Sequence, residues 1–366
     1  MAGIGKTTLA QFVYNDARLN DNFSMRSWVC VSDAFDISII TKKILDDLTS
    51  SDNDMISSFN QLQTKLKEMV AGKKFLIVLD DVWNDNYIDW DILRRPLKAG
   101  ALESRIIVTT RNDTVASMMG TIASHFLEQL SFEDCWSLFA KHAFVNRDYM
   151  AYPELESIGR EIVKKCGGLP LAVKSLGGLL RSKLKIEEWE NILKSKIWDL
   201  DRNIPPALRL SYHYLPSHLK QCFALCSIFP KDYEFQKKKL VRLWIALDFV
   251  QQPKSNNSVE DEGNDCFHEL LSRSFFQRLD SYFVMHDLIH DLAQDISGDF
   301  CFRLDYDKKL VHISEKVCYF SYVLGEYDGF ENFRVLNEVK CLRTFMSYSR
   351  DRRLDRCYLD IKFVTL

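Results

Sequence analysis

The stretch Gly3-Ile4-Gly5-Lys6-Thr7-Thr8 lies near the start of a chain of 366 residues. It matches the second half of the phosphate-binding pattern G-x-x-x-x-G-K-[ST], the P-loop. Glycines let backbone N–H groups surround a phosphate because no Cβ blocks the approach. Lys6 would contact the β- and γ-phosphates, and Thr7 would offer its hydroxyl to Mg²⁺. The run from Leu9 to Asp16 is expected to form a helix whose positive end faces the anion.

The N-terminal side of this pattern is incomplete. Its first glycine would precede Met1, and so would the apolar strand that leads into such a loop. We therefore expect a parallel sheet that lacks its first strand. Burial of four or five apolar residues in a central strand contributes about 6–15 kcal/mol, as much as the whole stability of many domains. The chain alone is expected to be poorly stable and to bind nucleotide weakly.

A second stretch, Phe75-Leu76-Ile77-Val78-Leu79, is continuously apolar and ends in the carboxylates Asp80 and Asp81. Such a run predicts a strand buried on both faces of a parallel sheet, and ligands bind at the carboxyl edge of such sheets. We interpret it as a Walker B segment. Asp80 would hold Mg²⁺, directly or through water, and Asp81 would orient or activate the attacking water. The alternative is a polar strand end in which Asp81 caps a turn.

Two further stretches predict strands of the same sheet, at residues 26–31 and 105–111, because both are rich in β-branched and aromatic residues. Arg111 ends the second stretch. An arginine just past the carboxyl end of a neighbouring strand can reach and sense a γ-phosphate. The alternative is a surface arginine that pairs with a nearby acid.

The composition bounds the class of protein. The chain is 46% hydrophobic and 27% charged, with a net charge of −3, so it is expected to be a globular protein without a general affinity for nucleic acid. It contains no apolar run of about 20 residues, and its N-terminus does not resemble a signal peptide. The ten cysteines include no C-x-x-C pair, which favours reduced, buried thiols and an intracellular location.

The rest of the chain divides by its patterns. Residues 126–203 are expected to be helical, with Ser131 at a helix start and Pro170 in the first turn of another helix after a glycine pair. Residues 204–300 predict a small winged-helix unit with a hairpin around Asp280 and a helix that begins near Asp287. Residues 301–366 are expected to form a linker and the start of leucine-rich repeats, from the spacing of Leu336, Val339, Leu342 and Phe345.

Two alternatives concern the winged-helix region. His286 and His290 have the spacing of two metal ligands on one helix face, but the glutamate of H-E-x-x-H is absent, so capping and packing roles are favoured. The basic stretch Lys237–Lys239 would suit DNA contact, but the nearby acids Asp232 and Glu234 weaken it. No specific nucleic-acid partner is expected.

Taken together, seven ordered motifs resemble the NB-ARC module of plant intracellular nucleotide-binding leucine-rich-repeat resistance proteins, from Met1 to about residue 300. The motifs are GIGKTT, RSWVCVSD, KKFLIVLDDVW, SRIIVTTR, CGGLPLA, CSIFPKDYEF and Met285-His286-Asp287. The third motif ends in Trp83, and in this respect the chain resembles the coiled-coil class of these proteins rather than the TIR class. The resemblance implies an α/β P-loop NTPase domain at 1–125, a helical bundle at 126–203 and a winged helix at 204–300, in a chain truncated at the P-loop and at the start of the repeats.

The resemblance also implies roles for individual residues and for the whole protein. The P-loop residues bind ADP or ATP, Pro170 packs against adenine, and His286 contacts the β-phosphate of ADP in the resting state. Thr7 and Asp80 bind Mg²⁺, Asp81 assists a slow ATPase, and Arg111 senses the γ-phosphate. These roles imply a switch in plant defence that responds to a pathogen effector or a guarded host protein through missing repeats, and that self-associates on activation.

The location implied is the cytoplasm, with the nucleus or the plasma-membrane periphery as variants, and the expected outcome of activation is a hypersensitive response. Two other functions remain open. The chain can be a non-switching scaffold or decoy that associates with full-length receptors. It can also be a P-loop kinase or ATPase that turns over a small substrate, although the helical modules after Leu130 lack an evident acceptor pocket.

Overall fold

The computed structural model describes residues 2–31, 35–49, 58–145, 148–181, 183–200, 203–250, 258–279, 281–304, 313–324 and 339–349. Within it the chain forms two compact units, Met1–Gln129 and Leu130–Leu366. Several residues used in the predictions above lie outside the described part, namely Met1, residues 32–34, Asp280, Leu336 and residues 350–366. The further division of the second unit at residues 203 and 300 stays a prediction.

A three-stranded parallel sheet organises the first unit. Its strands are β1 (Met25–Cys30), β2 (Phe75–Val82) and β3 (Arg105–Thr110), in the order β1-β2-β3. All residues of β2 from Phe75 to Asp80 are buried, because this strand lies between the other two and is covered on both faces. The three predicted strands and their parallel arrangement are confirmed.

Helices connect the strands and cover the sheet in the first unit. They are α1 (Lys6–Tyr14), α2 (Ala17–Asn20), α3 (Ile37–Thr49), α4 (Phe59–Val70), α5 (Tyr87–Arg94) and α6 (Asp113–Met119). The apolar positions of α4 recur at helical spacing, and Leu62, Leu66 and Val70 are buried in the same core as Ile77 and Leu79 of β2. This core holds the strand ends in a fixed register.

The second unit begins with a helical bundle made of α7 (Phe132–Ala143), α8 (Pro153–Lys165), α9 (Pro170–Leu180) and α10 (Ile186–Leu193). Ser131 accepts a hydrogen bond from the Asp134 N–H and starts α7, as the capping pattern predicted. A Cβ at Gly159 of α8 would lie 3.0 Å from ring atoms of Phe139, Trp136 and Trp189. A side chain at this position would therefore have to displace the surrounding aromatic rings.

Further helices of the second unit are α11 (Pro206–His213), α12 (Ser217–Leu225), α13 (Lys237–Ala246), α14 (Val259–Ser272) and α15 (Asp287–Ser297). The antiparallel strands β4 (Gln277–Leu279) and β5 (Tyr282–Val284) form the predicted hairpin, and Phe235 bridges to Phe283 beside it. Short 3₁₀ helices occur at Pro96–Ala99, Tyr149–Ala151, Lys196–Asp199, Cys226–Ile228 and Gly298–Phe300. The arrangement agrees with a winged helix.

A second parallel sheet follows α15. It consists of β6 (Cys301–Leu304), β7 (Tyr319–Leu324) and β8 (Thr344–Ser349), in that order. The rings of Phe302, Phe320 and Phe345 stack from strand to strand, with centroids 5.9 and 5.6 Å apart. The sequence predicted a repeat near β8 but did not predict β6 or β7.

Candidate functional site

The glycine loop leads directly into α1. Gly3 and Gly5 have φ angles of 73° and 104°, in the left-handed region that residues with a side chain avoid. Gly5 is the N-terminal cap, and α1 begins at Lys6, three residues before the predicted start at Leu9. The first N–H groups of a helix have no partner within the helix and carry partial positive charge. The loop is therefore built to receive an anion.

The other loop residues lie around this helix start. Ile4 is half-buried in the turn before α1, and Thr7 and Thr8 are exposed in its first turn. The Thr7 hydroxyl donates a hydrogen bond of 3.1 Å to Oδ1 of Asp80, which lies 73 positions later in the chain. The structure thus brings the P-loop and the carboxyl end of β2 together, as the sequence predicted.

Asp80 is buried, with 4% of its surface exposed. Burial raises the pKa of its carboxyl group, and hydrogen bonds from Thr109 and Thr7 act in the opposite direction, as does the charge of Lys6. The Thr109 hydroxyl donates to Asp80 Oδ1 over 2.5 Å. The Asp80 carboxylate accepts hydrogen bonds from two hydroxyl groups, which fix its orientation, and it can therefore bind a cation from a defined position.

Asp81 follows in an unusual backbone conformation, with φ of 55°. Its N–H donates to the Thr109 hydroxyl over 2.8 Å. Both of its carboxylate oxygens accept hydrogen bonds from the Arg111 guanidinium, from Nε over 3.2 Å and from Nη2 over 2.7 Å. Arg111 therefore pairs with a nearby acid, as the alternative interpretation expected, but the acid is itself a predicted site residue.

Lys6 interacts electrostatically with Asp80, Asp81 and Arg111. Burial lowers the pKa of its half-buried ammonium, the carboxylates of Asp81 and Asp80 oppose that shift, and Arg111 adds to it. Two cations and two carboxylates thus meet at one edge of the sheet. This local balance of charge suits a ligand that carries both phosphate and a divalent cation.

The donor set fits Mg²⁺ bound together with a phosphate. Thr7 and Asp80 supply a hydroxyl and a carboxylate oxygen 3.1 Å apart. Mg²⁺ in nucleotide sites takes one or two carboxylates, with phosphate and water oxygens in its other positions. Within the described residues, no group of three or more His, Cys, Asp or Glu side chains could hold a metal by itself.

Two predicted nucleotide contacts, Pro170 and His286, lie in the second unit. Pro170 is the first residue of α9 and follows Gly167 and Gly168, whose φ angles are 58° and 72°. His286 is the N-terminal cap of α15, where its Nδ1 accepts the N–H of Leu288 over 3.1 Å. These positions agree with the predicted capping and turn roles, and their contact with a nucleotide stays a prediction.

His290 does not join His286 in a metal site. It is buried, and its Nε2 lies 2.7 Å from the Phe229 carbonyl oxygen, to which it donates.

One residue that matters in the site, Thr109, was given no role from the sequence. A signal was present, because a threonine just before the carboxyl end of a strand beside a Walker B segment can contact its carboxylates.

Comparison with known families decides the identity. Residues 1–149 match the model of the NB-ARC domain, and residues 228–293 match that of the disease resistance protein winged helix domain. Residues 1–149 belong to the NB-ARC family. The suspected family, the P-loop NTPase fold and the winged helix are thereby confirmed, and the chain carries the nucleotide-binding module of this family.

Named relatives of this NB-ARC chain are plant proteins. RPP13-like protein 1 of Arabidopsis thaliana is 46% identical over 365 residues, which cover 98% of this chain and 34% of the relative. Disease resistance protein RGA2 of Solanum bulbocastanum is 46% identical over 304 residues, covering 81% of this chain and 31% of the relative. The chain thus spans about a third of the length of these relatives.

A solved structure agrees with the NB-ARC fold. A Signal Transduction ATPase with Numerous Domains (STAND) protein with a tetratricopeptide repeat sensor, from Pyrococcus horikoshii, superposes with a TM-score of 0.51 at 17% identity, over 81% of this chain and 39% of that protein. At this identity the likeness concerns the fold alone. Among the described helices, none is both long and apolar enough to cross a bilayer.

Proposed function

We propose that this NB-ARC chain is an ADP/ATP-operated switch of a plant intracellular immune receptor. The observation that carries the proposal is the hydrogen bond of 3.1 Å between Thr7 of the glycine loop and Asp80 of β2. It joins a phosphate-binding helix start to a buried carboxylate, which is the pair of groups that a magnesium–nucleotide complex requires.

The proposed binding roles follow from position. The N–H groups of the loop from Gly3 to Thr8 and the ammonium of Lys6 bind the phosphates. Thr7 and Asp80 would hold Mg²⁺, which when bound neutralises phosphate charge. Thr8 extends the first turn of α1 beside them.

The proposed signalling step depends on Arg111 and Asp81. In the structure the Arg111 guanidinium donates two hydrogen bonds to the Asp81 carboxylate. A γ-phosphate would compete for the Arg111 guanidinium, and the Asp81 carboxylate would then be able to accept a hydrogen bond from water and orient it for attack. Hydrolysis would be slow and would reset the switch rather than serve turnover of a metabolite.

The biological role is proposed from the named relatives, since one of them is a disease resistance protein. A pathogen effector or a guarded host protein would provide the signal through leucine-rich repeats, and activation would include self-association. The proposed location is inside the cell. Pro170 and His286 are proposed to contact adenine and the β-phosphate of ADP, respectively, in the resting state.

The test is equilibrium binding of a fluorescent ADP analogue to the purified chain with Mg²⁺, in wild type and in Lys6→Ala. We expect the variant to bind about 10- to 100-fold more weakly, because a hydrogen bond to a charged group is worth about 1.5–3 kcal/mol. Lys67→Ala is the matched control, since Lys67 is exposed on α4 in the same unit.

Three outcomes are informative. Loss of binding in Lys6→Ala alone, with an unchanged circular dichroism spectrum, supports the proposal. A Lys6→Ala variant that binds the ADP analogue with the wild-type affinity contradicts it. A folded wild-type chain that binds neither ADP nor ATP, but copurifies with a full-length receptor whether Lys6 is present or not, favours the scaffold role instead.

A further inference from the structure

The pairing between β2 and β3 contains an irregularity at the site. Leu79 is opposite Val108, whereas Val82 is opposite Thr110. Two residues of β2, Asp80 and Asp81, therefore face the single residue Thr109. This is the geometry of a β-bulge, which is rare between parallel strands and which redirects the side chains of the bulged strand.

The Thr109 side chain spans the bulge. It is buried, with 8% of its surface exposed. Its hydroxyl donates to Oδ1 of Asp80 over 2.5 Å and accepts the backbone N–H of Asp81 over 2.8 Å. One hydroxyl group thus contacts the carboxylate of the first bulge residue and the backbone of the second.

These two contacts have a direct geometric consequence. A left-handed backbone at a residue other than glycine costs free energy and persists only where its surroundings enforce it. The Asp81 N–H has its hydrogen-bond partner in Thr109, and this contact helps to hold Asp81 in that conformation. The Asp81 side chain then points to Arg111, while the Asp80 side chain faces Thr7.

We propose that Thr109 is a positioning residue, whose hydroxyl sets the orientation of both carboxylates toward the magnesium–nucleotide complex. The inference rests on the function proposed above and names a residue that acts through Asp80 and Asp81 rather than on the nucleotide. Threonine suits the position because it combines a hydroxyl donor and acceptor with the β-branched shape that a strand favours.

The test compares variants that separate the hydroxyl from the shape of the side chain. Thr109→Val keeps the shape and removes the hydroxyl, whereas Thr109→Ser keeps the hydroxyl. Thr110→Val is the matched control, because Thr110 is the next residue of β3 and its hydroxyl accepts the N–H of Asn112 instead. The measurements are the Mg²⁺ concentration for half-maximal binding of ADP, the affinity for ADP in EDTA, and single-turnover hydrolysis of ATP.

We expect Thr109→Val to need at least tenfold more Mg²⁺ and to hydrolyse ATP at least tenfold more slowly, with less than a threefold change of affinity in EDTA. Thr109→Ser and Thr110→Val should stay within threefold of wild type in all three measurements. If Thr109→Val does not fold, Thr109→Cys takes its place, since a thiol is a weak donor of similar size.

Two results would overturn the inference while leaving the proposed function intact. One is a Thr109→Val protein that matches wild type in Mg²⁺ dependence and hydrolysis. The other is an equal loss of affinity with Mg²⁺ and in EDTA, not rescued by serine, which would indicate a purely structural role. A folded wild-type chain whose nucleotide binding is absent or independent of Mg²⁺ would overturn this inference and the proposed function together.

Discussion

At the sheet edge, Asp81 and Arg111 form an ion pair that would have to separate before either residue could take its proposed role. Asp81 accepts two hydrogen bonds from Arg111, so its carboxylate cannot at the same time orient a water, and the guanidinium cannot fully engage a phosphate. ATP has a γ-phosphate that would compete for Arg111, whereas ADP has none. Discrimination between the two nucleotides should therefore depend on this one side chain.

We expect Arg111→Ala to lower the ratio of ATPγS affinity to ADP affinity by about tenfold or more, the effect of losing one charge-assisted contact of about 1.5–3 kcal/mol. The ratio is the informative quantity, because the negative charge of Asp81, once Arg111 is removed, would lower the affinity for both nucleotides. Competition against a fluorescent nucleotide measures it. Arg105→Ala, at the exposed start of the same strand, is the control, and an unchanged ratio in Arg111→Ala would exclude the sensor role.

At the scale of elements, helix α15 is anchored by a buried imidazole. His290 donates to the carbonyl of Phe229, and Arg303 of β6 donates to the same oxygen over 3.0 Å. Nδ1 of His290 is buried without a hydrogen-bond partner among the described residues. Protonation would place an N–H there with no acceptor, so the folded state favours the neutral ring.

The pKa of His290 is lowered, first by burial and then by the positive charges of Arg303 and Lys231, while the bond to Phe229 and the charge of Asp291 oppose the shift. A lowered pKa of a base means that the unfolded chain binds more protons, so this contribution to stability is complete above the unfolded pKa of about 6.5. It is lost as the pH falls from there through the folded pKa.

We therefore expect the free energy of unfolding to decrease between pH 7 and pH 5, and His290→Leu to remove the part of the decrease that this residue causes. At pH 7 the variant should be less stable by about 0.5–1.5 kcal/mol, since one hydrogen bond is lost and Arg303 still contacts the Phe229 carbonyl. Urea titrations across this pH range measure both effects. The exposed His125 provides the control His125→Gln, and an equal pH slope in wild type and His290→Leu would refute the assignment.

At the scale of the whole molecule, the sequence predicted what local patterns determine and missed what pairing determines. The apolar run of β2, the start of α7 at Ser131 and the start of α15 at Asp287 depend on neighbouring residues, and all are confirmed. The bulge at Asp80 and Asp81 depends on how β3 pairs with β2, so it was not predictable from the sequence, although the position of Thr109 beside the Walker B segment was a signal for a contact with the carboxylates.

The same reasoning explains the sheet after α15. Its strands are short, and Phe302, Phe320 and Phe345 stack although they are far apart in sequence. No periodic pattern of apolar residues within a short stretch of sequence predicts such a contact. In the candidate site, by contrast, the predicted side chains do meet in two pairs, Thr7 with Asp80 and Asp81 with Arg111, because all lie at the edge where parallel strands end and α1 begins.

The proposed switch is tested most directly at His286. Its Nδ1 accepts the N–H of Leu288, which leaves the proton of the neutral ring on Nε2, the nitrogen that would donate to the β-phosphate of ADP. We expect His286→Ala to release ADP about 10- to 100-fold faster, the result of losing a contact of about 1.5–3 kcal/mol. Stopped-flow displacement of a fluorescent ADP analogue measures the rate, and the exposed His268 provides the control His268→Ala.

The size of this effect also sets how much signalling the variant should show. Inverting a switch from 1:99 to 99:1 needs about 5.5 kcal/mol, so the loss of one histidine contact supplies roughly a quarter to a half of it. In a complete receptor, His286→Ala should therefore signal without a pathogen, but less strongly than the triggered wild type. A variant that still depends fully on the trigger, or that releases ADP at the wild-type rate, would show that His286 caps α15 without restraining the nucleotide.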